Sequence, residues 1–275
     1  MPRIHRFLNL SEVRSEAKRA LSFGLHVGID LLTSEPLFGT SWDQEARDLG
    51  RILRSIGTKV IVRGPGQDLP LGATDPYVVE QVRACHHRAI AAALHYGAEV
   101  YVVNYGRSFQ YSRSERMSRL EAAHSMVSDL ARAARTRGMT LAVELDSLLD
   151  GDSMDLLADV LRRERAGVLL APSRMLCLGT DPRPMLQHLK DLIIGTDLSD
   201  RGRDDLEPRL PGRGVMRDNS ILTELTTLQS LQFHTAEIGG QCRAEDIVAA
   251  FNGLAREAVE ARSTAYGPAV PATLR

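Results

Sequence analysis

The sequence has few lysines and cysteines and no long apolar run. Only three of its 34 basic residues are lysines, a bias that we attribute to a GC-rich bacterial genome. The 3 cysteines have no metal-type spacing, which fits a reducing cytoplasm. No apolar run approaches the ~18 residues that span a membrane, and Met1–Asn9 lacks the apolar core of a signal peptide. We therefore expect a cytoplasmic protein without a membrane partner.

The sequence also lacks a strong net charge and a dinucleotide fingerprint. A net charge of −1 provides no field that would favour binding to nucleic acid. No Gly-x-Gly-x-x-Gly follows the first predicted strand, so no nucleotide cofactor is expected. With 43% hydrophobic and 25% charged residues, the composition is ordinary for a globular protein.

Strand-like and helix-like segments alternate along nearly the whole chain. The predicted strands are short and apolar, as in a parallel sheet that helices cover on the outside. They are Arg3–Asn9, Leu25–Leu32, Lys59–Arg63, Glu99–Asn104, Met139–Leu145, Val168–Ala171, Ile193–Leu198 and Phe233–Ile238. A helix follows each strand; Ser11 is predicted to cap the first, and Asp75-Pro76 is predicted to begin the third. Between strand seven and the next helix, residues 199–214 are predicted to form a polar loop.

Eight such units in 275 residues favour a closed (β/α)8 TIM barrel over an open doubly wound sheet. We expect residues 1–262 to form this single domain and residues 263–275, which show no periodicity, to be a disordered tail. Exposed helices on the outside of such a barrel leave room for a homodimer.

In such a barrel the chemistry lies at the C-terminal ends of the strands. The polar residues at those ends are Asn9, Asp30, Arg63, Asn104, Glu144, Arg174, Asp197, Asp200 and Glu237. Glu144 and Glu237 each interrupt an apolar strand, where a carboxylate is partly desolvated and therefore needs a partner or a function. Asp146 points away from Glu144 only if the fifth strand continues that far.

Several short motifs occur in an order and spacing that resemble one family. They are Ala91-Ala-Ala-Leu-His-Tyr-Gly97-Ala98 before a strand ending Asn104-Tyr-Gly106, Leu141-Ala-Val-Glu144, Val168–Arg174, Gly195-Thr-Asp197-Leu-Ser-Asp200, Leu210-Pro-Gly-Arg-Gly214 and Ala236-Glu237-Ile. Together they resemble the sugar-phosphate isomerase/epimerase superfamily, which has the xylose-isomerase-like barrel. The resemblance runs from about residue 20 to about residue 260.

The resemblance implies a divalent metal held by two glutamates, an aspartate and a histidine, with the glutamates also exchanging protons with the substrate. The glutamates match as Glu144 and Glu237, and Asp197 falls on the histidine ligand of the seventh strand. The aspartate falls on Ala171, and Arg174 falls on a second histidine that accompanies it. If a metal is present, Glu144, Asp197 and Glu237 remain as oxygen ligands that suit Mg²⁺ or Mn²⁺ better than Zn²⁺.

Arg63 and Arg174 occupy positions at which the resembled family has histidines, and this difference predicts a different site chemistry. Arg174 brings a permanent positive charge, so we expect a weak or absent dependence on metal. Three carboxylates without a cation repel one another, which raises at least one carboxyl pKa. Arg63, Arg174 and Arg213 suggest that the substrate is a small anionic molecule, held by guanidinium groups. Asn104, Asp197 and Asp200 complete the predicted substrate-binding set.

The resemblance and these departures favour an isomerase or epimerase that moves a proton next to a carbonyl of a polyhydroxy or oxo-acid substrate. Glu144 and Glu237 would remove and return that proton as general base and acid. The same proton abstraction serves a lyase or dehydratase, and the barrel also suits another metal-independent biosynthetic enzyme. A non-catalytic binding protein is a further alternative. An endonuclease is disfavoured because the zinc-binding histidines and a basic face are missing.

Overall fold

Eight parallel strands form the closed barrel that the alternation predicts. The computed structural model describes residues 2–31, 42–66, 69–106, 113–147, 149–203, 207–217, 221–225, 228–237, 243–253 and 256. Its strands are β1 (Arg3–Asn9), β2 (His26–Asp30), β3 (Val60–Arg63), β4 (Ala98–Asn104), β5 (Thr140–Leu145), β6 (Gly167–Leu170), β7 (Ile193–Asp197), β8 (Asp200–Arg201), β9 (Pro208–Arg209) and β10 (Phe233–Ala236). The barrel consists of β1 to β7 and β10, and it closes where β1 pairs with both β2 and β10.

The helices of the described residues follow the barrel strands in sequence. They are α1 (Leu10–Ser22), α2 (Trp42–Ile56), α3 (Pro76–Tyr96), α4 (Arg113–Arg135), α5 (Gly151–Glu164), α6 (Pro172–Cys177), α7 (Arg183–Leu189), α8 (Ile221–Leu225) and α9 (244–253). Helix α3 begins where it was predicted to, because Asp75 accepts hydrogen bonds from the N–H groups of Tyr77 and Val78. At its end, Gly97 takes a left-handed conformation with φ of 75°.

The barrel interior is a small apolar cluster below the mouth. It consists of Phe7, Ile61, Val100, Val102, Ala142, Leu169 and Phe233. The two phenylalanines need glycines beside them, since a Cβ on Gly28 would lie 2.7 Å from the Phe7 ring and one on Gly195 would lie 2.4 Å from the Phe233 ring. The described interior is therefore filled by packed side chains.

The structure corrects two predictions about local structure. Helix α1 begins after Asn9 and not after Ser11, because the Glu12 side chain accepts the Asn9 N–H at 3.0 Å. The predicted loop 199–214 contains an antiparallel hairpin, in which β8 pairs with β9 through Asp200–Arg209 and Arg201–Pro208. Strands of two residues carry no period-two pattern, so periodicity could not reveal them.

Two further points concern the predicted domain and the membrane. The predicted tail, residues 263–275, and the end of the last helix lie outside the described residues. Among the helices of the described part, none combines the length and the apolar character required to cross a membrane.

Candidate active site

Strand alternation places a charged layer directly above the apolar interior. Side chains two residues apart along a strand face the same side. Arg63 therefore shares a face with Ile61, and Glu144 shares one with Ala142. Glu237 follows β10 at the same end of the barrel. The sequence prediction that polar strand ends meet at the C-terminal mouth is consistent with this arrangement.

Arg63 is the centre of this charged layer. Its side chain has no solvent exposure, and it donates to three carboxylates: Glu144 at 3.0 Å, Glu237 at 3.2 Å and Asp30 at 3.3 Å. Its guanidinium carbon also lies 4.0 Å from the centre of the Phe7 ring. Burial opposes its charge, but the surrounding carboxylates raise the pKa of Arg63 above its ordinary value. Through one permanent cation, Arg63 therefore joins β3 to the neighbouring strand β2 and to the ends of β5 and β10 across the barrel.

Arg174 connects the two predicted catalytic glutamates. It projects from α6, which begins at Pro172 directly after β6. Its Nη2 donates to Glu237 Oε2 at 2.5 Å, and its Nη1 lies 3.6 Å from Glu144 Oε1. The Arg174 side chain is 19% exposed, in contrast to the buried Arg63. It is therefore the mouth cation that an incoming anion can reach.

Glu237 is the more accessible of the two glutamates. Its side chain is 26% exposed, against 1% for Glu144. Burial alone would raise its pKa, but Arg63, Arg174 and Arg201 together lower the pKa of Glu237 to about 2. Arg201, on β8, contributes a contact of 3.3 Å to the same Oε2 atom. Glu237 is accordingly a carboxylate at neutral pH.

Asp197 is buried beside the two glutamates, and its pKa shifts in the direction opposite to that of Glu237. Its Oδ1 accepts hydrogen bonds from the Ser199 N–H at 3.1 Å and the Ser199 hydroxyl at 2.6 Å. Its Oδ2 is buried and has no hydrogen-bond partner within the described structure. Burial raises the pKa of Asp197, against the opposing effect of Arg174. The Ser199 hydroxyl also accepts the Glu237 N–H, so one serine positions both acidic residues.

Asn104 and Asp146 complete one side of the mouth. The Asn104 amide donates to Glu144 at 3.4 Å and to Asp146 at 3.5 Å. Asp146 follows the last residue of β5, Leu145, and lies on the same side as Glu144, with its Oδ2 3.7 Å from Arg174 Nη1. The expectation that a longer strand would turn Asp146 away from Glu144 is wrong, because residues two apart along a strand face the same side.

The residues present do not fit a divalent metal. Arg63 and Arg174 contact the carboxylate oxygens of Glu144 and Glu237 that would otherwise bind a metal ion. Ala171, fully buried directly after β6, has no ligand atom in its side chain. Across the described ranges, no group of three or more His, Cys, Asp or Glu side chains has the arrangement of a metal site. Two guanidiniums would have to leave before Glu144, Asp197 and Glu237 could share a metal ion.

Two predicted substrate-binding residues lie outside this cluster. Asp200 is fully buried and accepts three backbone N–H groups, from Arg201 at 2.8 Å, Gly214 at 2.6 Å and Met216 at 3.1 Å. Arg213 lines a neighbouring cleft beside the β8–β9 hairpin. The structure therefore groups Arg63, Asn104, Glu144, Arg174, Asp197 and Glu237 and sets these two apart.

Sequence reasoning missed three residues that contribute to the mouth. Arg201 and Ser199 flank Asp200, which had been singled out, and Asp146 follows the fifth strand. Arg201 was hidden among 34 basic residues, and nothing in a single sequence distinguishes it from a surface arginine. The alternation of side chains along the fifth strand was the signal that could have placed Asp146 beside Glu144.

Comparison with known proteins decides the family. The family described as xylose isomerase-like TIM barrel matches residues 20–227, well over half of the chain. The chain belongs to this family. The sequence matches none of the curated proteins. The family assignment therefore rests on the family match and on the barrel itself.

Solved structures share the fold of this family member at low sequence identity. An L-ribulose 3-epimerase is 14% identical with a TM-score of 0.73, over 98% of this chain and 100% of its own. A D-tagatose 3-epimerase-like protein is 15% identical with a TM-score of 0.70, over 95% and 99%. A protein from Thermus thermophilus, soaked with ZnCl2, is 20% identical with a TM-score of 0.71, over 93% and 98%. These neighbours include sugar epimerases, and at such identities the likeness shows the fold alone.

Proposed function

We propose that this protein is an isomerase or epimerase that moves a proton next to a carbonyl in a small anionic polyhydroxy or oxo-acid substrate. One observation carries the proposal: Glu144 and Glu237 both contact the single guanidinium of Arg174, at 3.6 Å and 2.5 Å. Two carboxylates on either side of one cation form a site that can remove a proton, stabilise the resulting anion and return the proton. The epimerases among the structural neighbours support the same reaction class.

The proton balance assigns complementary roles to the two glutamates. One carboxylate takes the proton from the carbon next to the carbonyl, and the electron pair moves onto the carbonyl oxygen. The other glutamate returns to the carbon a proton that it has taken up from solvent, and the carbonyl re-forms. Arg174 supplies positive charge next to the developing oxyanion, a role that requires no metal. Arg63, which has no exposed surface, acts from beneath as the fixed counter-ion of the carboxylates.

Arg174 also explains how a carboxylate of low pKa becomes a useful base. In the free protein, the arginines hold the pKa of Glu237 to about 2, which makes it a weak base. An anionic substrate that binds Arg174 draws part of this positive charge away from Glu237. The pKa of Glu237 then rises toward the range in which proton abstraction is effective. In this mechanism the anionic group of the substrate activates the base.

Solvent-deuterium exchange into candidate ketoses and 2-oxo acids, followed by NMR in the presence of a chelator, tests the proposal. We expect exchange at the carbon next to the carbonyl, and a decrease of about 10²–10⁴-fold in Glu144→Gln and in Glu237→Gln. Glu80→Gln on the exposed face of α3 is the matched control and should exchange at the wild-type rate. The absence of exchange with every substrate, or full exchange in both mouth variants, would refute the proposal. An elimination product in place of exchanged substrate would instead indicate a lyase.

A further inference from the structure

Three buried polar residues join the end of β7 to helix α6 and to Glu237. They are Ser173, Asp197 and Ser199, and each has no solvent exposure. The Ser173 hydroxyl donates to the Ser199 carbonyl oxygen at 2.5 Å, and the Ser199 hydroxyl donates to Asp197 at 2.6 Å. Ser199 Oγ also accepts the Glu237 N–H at 2.5 Å. Ser199 therefore connects three segments of the chain through its hydroxyl and its carbonyl group.

The Ser199 hydroxyl holds the backbone of Glu237 at the point where β7 and β10 end. One residue past β7, the Leu198 N–H donates to the Thr235 carbonyl oxygen at 3.0 Å, so the two strands are still joined there by backbone groups. The Glu237 N–H, one residue past β10, donates to the Ser199 side chain. The backbone position of Glu237 therefore depends on a hydroxyl group, which a substitution can remove.

Together with Arg174, these contacts form a closed ring. Arg174 follows Ser173 directly in α6, and its Nη2 donates to Glu237 Oε2 at 2.5 Å. The backbone of Glu237 is bonded to Ser199, and Ser199 is bonded to Ser173. The side chain and the backbone of Glu237 are therefore anchored to the same short helix by two separate routes. The first route runs through a guanidinium, and the second runs through two serines.

We propose that Ser173 and Ser199 are positioning residues, which hold the carboxylate of Glu237 against Arg174 for the proton transfer. This inference rests on the proposed function, because it assigns a catalytic purpose to the contact between Arg174 and Glu237. A misplacement of about 1 Å in a reacting group can lower the rate by about 10²-fold. Ser199 restrains Glu237 at its backbone, and Ser173 restrains Ser199. Neither hydroxyl takes part in the chemical steps.

Amide hydrogen exchange of the full chain without ligand, resolved at Glu237 by NMR, measures this restraint. Ser199→Ala removes the acceptor of the Glu237 N–H, so we expect this amide to exchange about tenfold faster than in the wild type. Ser173→Ala should give a smaller increase, about threefold, because the Ser173 hydroxyl acts on Glu237 through Ser199. Alanine is the best helix former, so Ser173→Ala in α6 is expected to fold.

The matched control is Ser128→Ala, which also removes a buried hydroxyl. Ser128 lies on α4 and accepts a hydrogen bond from Arg163 on α5 at 3.2 Å. This variant should leave the exchange rate of the Glu237 amide unchanged. Equal acceleration in all three variants would overturn the proposal by showing a general loosening of the protein. A wild-type rate at Glu237 in both Ser199→Ala and Ser173→Ala would overturn it as well.

Deuterium exchange into the ketose or 2-oxo acid that the wild type accepts tests the consequence for the reaction. Ser173→Ala and Ser199→Ala should each lower kcat and kcat/KM equally, by about tenfold or more, whereas Ser128→Ala should keep the wild-type values. A loss confined to KM, or wild-type kcat in both variants, would overturn the proposal. Absence of exchange with every candidate substrate in the wild type would overturn the proposed function and with it the catalytic purpose. The amide exchange would still show whether the two serines restrain Glu237.

Discussion

At the barrel mouth, Arg63 is fully buried and contacts three carboxylates, whereas in the neighbouring cleft Arg213 and Arg217 reach solvent on a surface whose described lining has no carboxylate. The same side chain therefore serves two different purposes within one end of the barrel. A buried guanidinium must have protein partners, because an unpaired buried charge is strongly destabilising. An exposed guanidinium needs no such partner, because water solvates it. The contrast separates internal counter-ions from solvated surface charges.

The largest effect should follow from removal of the internal counter-ion. Arg63→Met leaves Glu144, Glu237 and Asp30 without their shared cation, so we expect a loss of about 3–5 kcal/mol in the free energy of unfolding. Urea denaturation measures it. Arg51→Met, at a side chain that is 72% exposed, is the control and should change stability by no more than ~0.5 kcal/mol. If the two variants lose the same small amount, Arg63 is not the buried counter-ion described above.

A smaller effect should follow from loosening the backbone that Asp200 holds beside the cleft. Asp200→Asn keeps the shape of the side chain but places an N–H₂ group where backbone N–H groups donate, and we expect a destabilisation of about 1–3 kcal/mol. Urea denaturation measures this loss. Asp48→Asn, at an exposed surface aspartate, serves as the control for stability. Unchanged stability would show that the three hydrogen bonds to Asp200 do not hold this backbone in place.

The smallest expected effect concerns the pH dependence of the free energy of unfolding, which should differ between variants of the mouth and variants of the cleft. The pKa of Glu237 falls from its ordinary value of 4.5 to about 2 in the folded protein, so its contribution to stability is complete above about 4.5 and is lost as the pH falls toward 2. Buried His86 and half-buried His234, with pKa values lowered by desolvation to about 4, add an acid-sensitive contribution at higher pH, between 6.5 and 4. Comparison with the wild type removes this shared background.

We therefore expect Glu237→Gln to lose less stability than the wild type as the pH falls below 4.5, measured by urea unfolding at a series of pH values. Arg217→Gln in the cleft should follow the wild-type curve throughout. A Glu237→Gln curve parallel to that of the wild type would mean that the mouth arginines do not hold this carboxylate in its charged form.

The sequence was sufficient to predict the barrel, because each apolar strand and each amphipathic helix is a local pattern. The polar strand ends could be identified for the same reason, since strand ends fix where Glu144 and Glu237 lie. The contacts among them could not be predicted, because Arg63 reaches Glu144 and Glu237 across 81 and 174 residues of chain. Nothing local in the sequence shows that Arg63 is buried or that Arg174 contacts both glutamates.

The hairpin shows a second limit of local patterns. Strands β8 and β9 have two residues each and include Pro208, so propensity and periodicity both favour a loop. The hairpin forms because buried Asp200 collects three backbone donors from distant positions. Arg213 was predicted to bind substrate, and the structure places it in the cleft beside this hairpin. Tertiary hydrogen bonds thus decide a feature that no local pattern indicates.

The central claim is that arginines take the place of a metal ion at the mouth, because Arg63 and Arg174 contact the glutamates that would otherwise bind one. Titration of the purified, chelator-treated protein with Mn²⁺ tests this claim most directly. The account predicts no stoichiometric binding by calorimetry, and deuterium exchange into the substrate that Mn²⁺ does not increase. One tightly bound Mn²⁺ per chain, lost in Glu144→Gln and required for exchange, would contradict it.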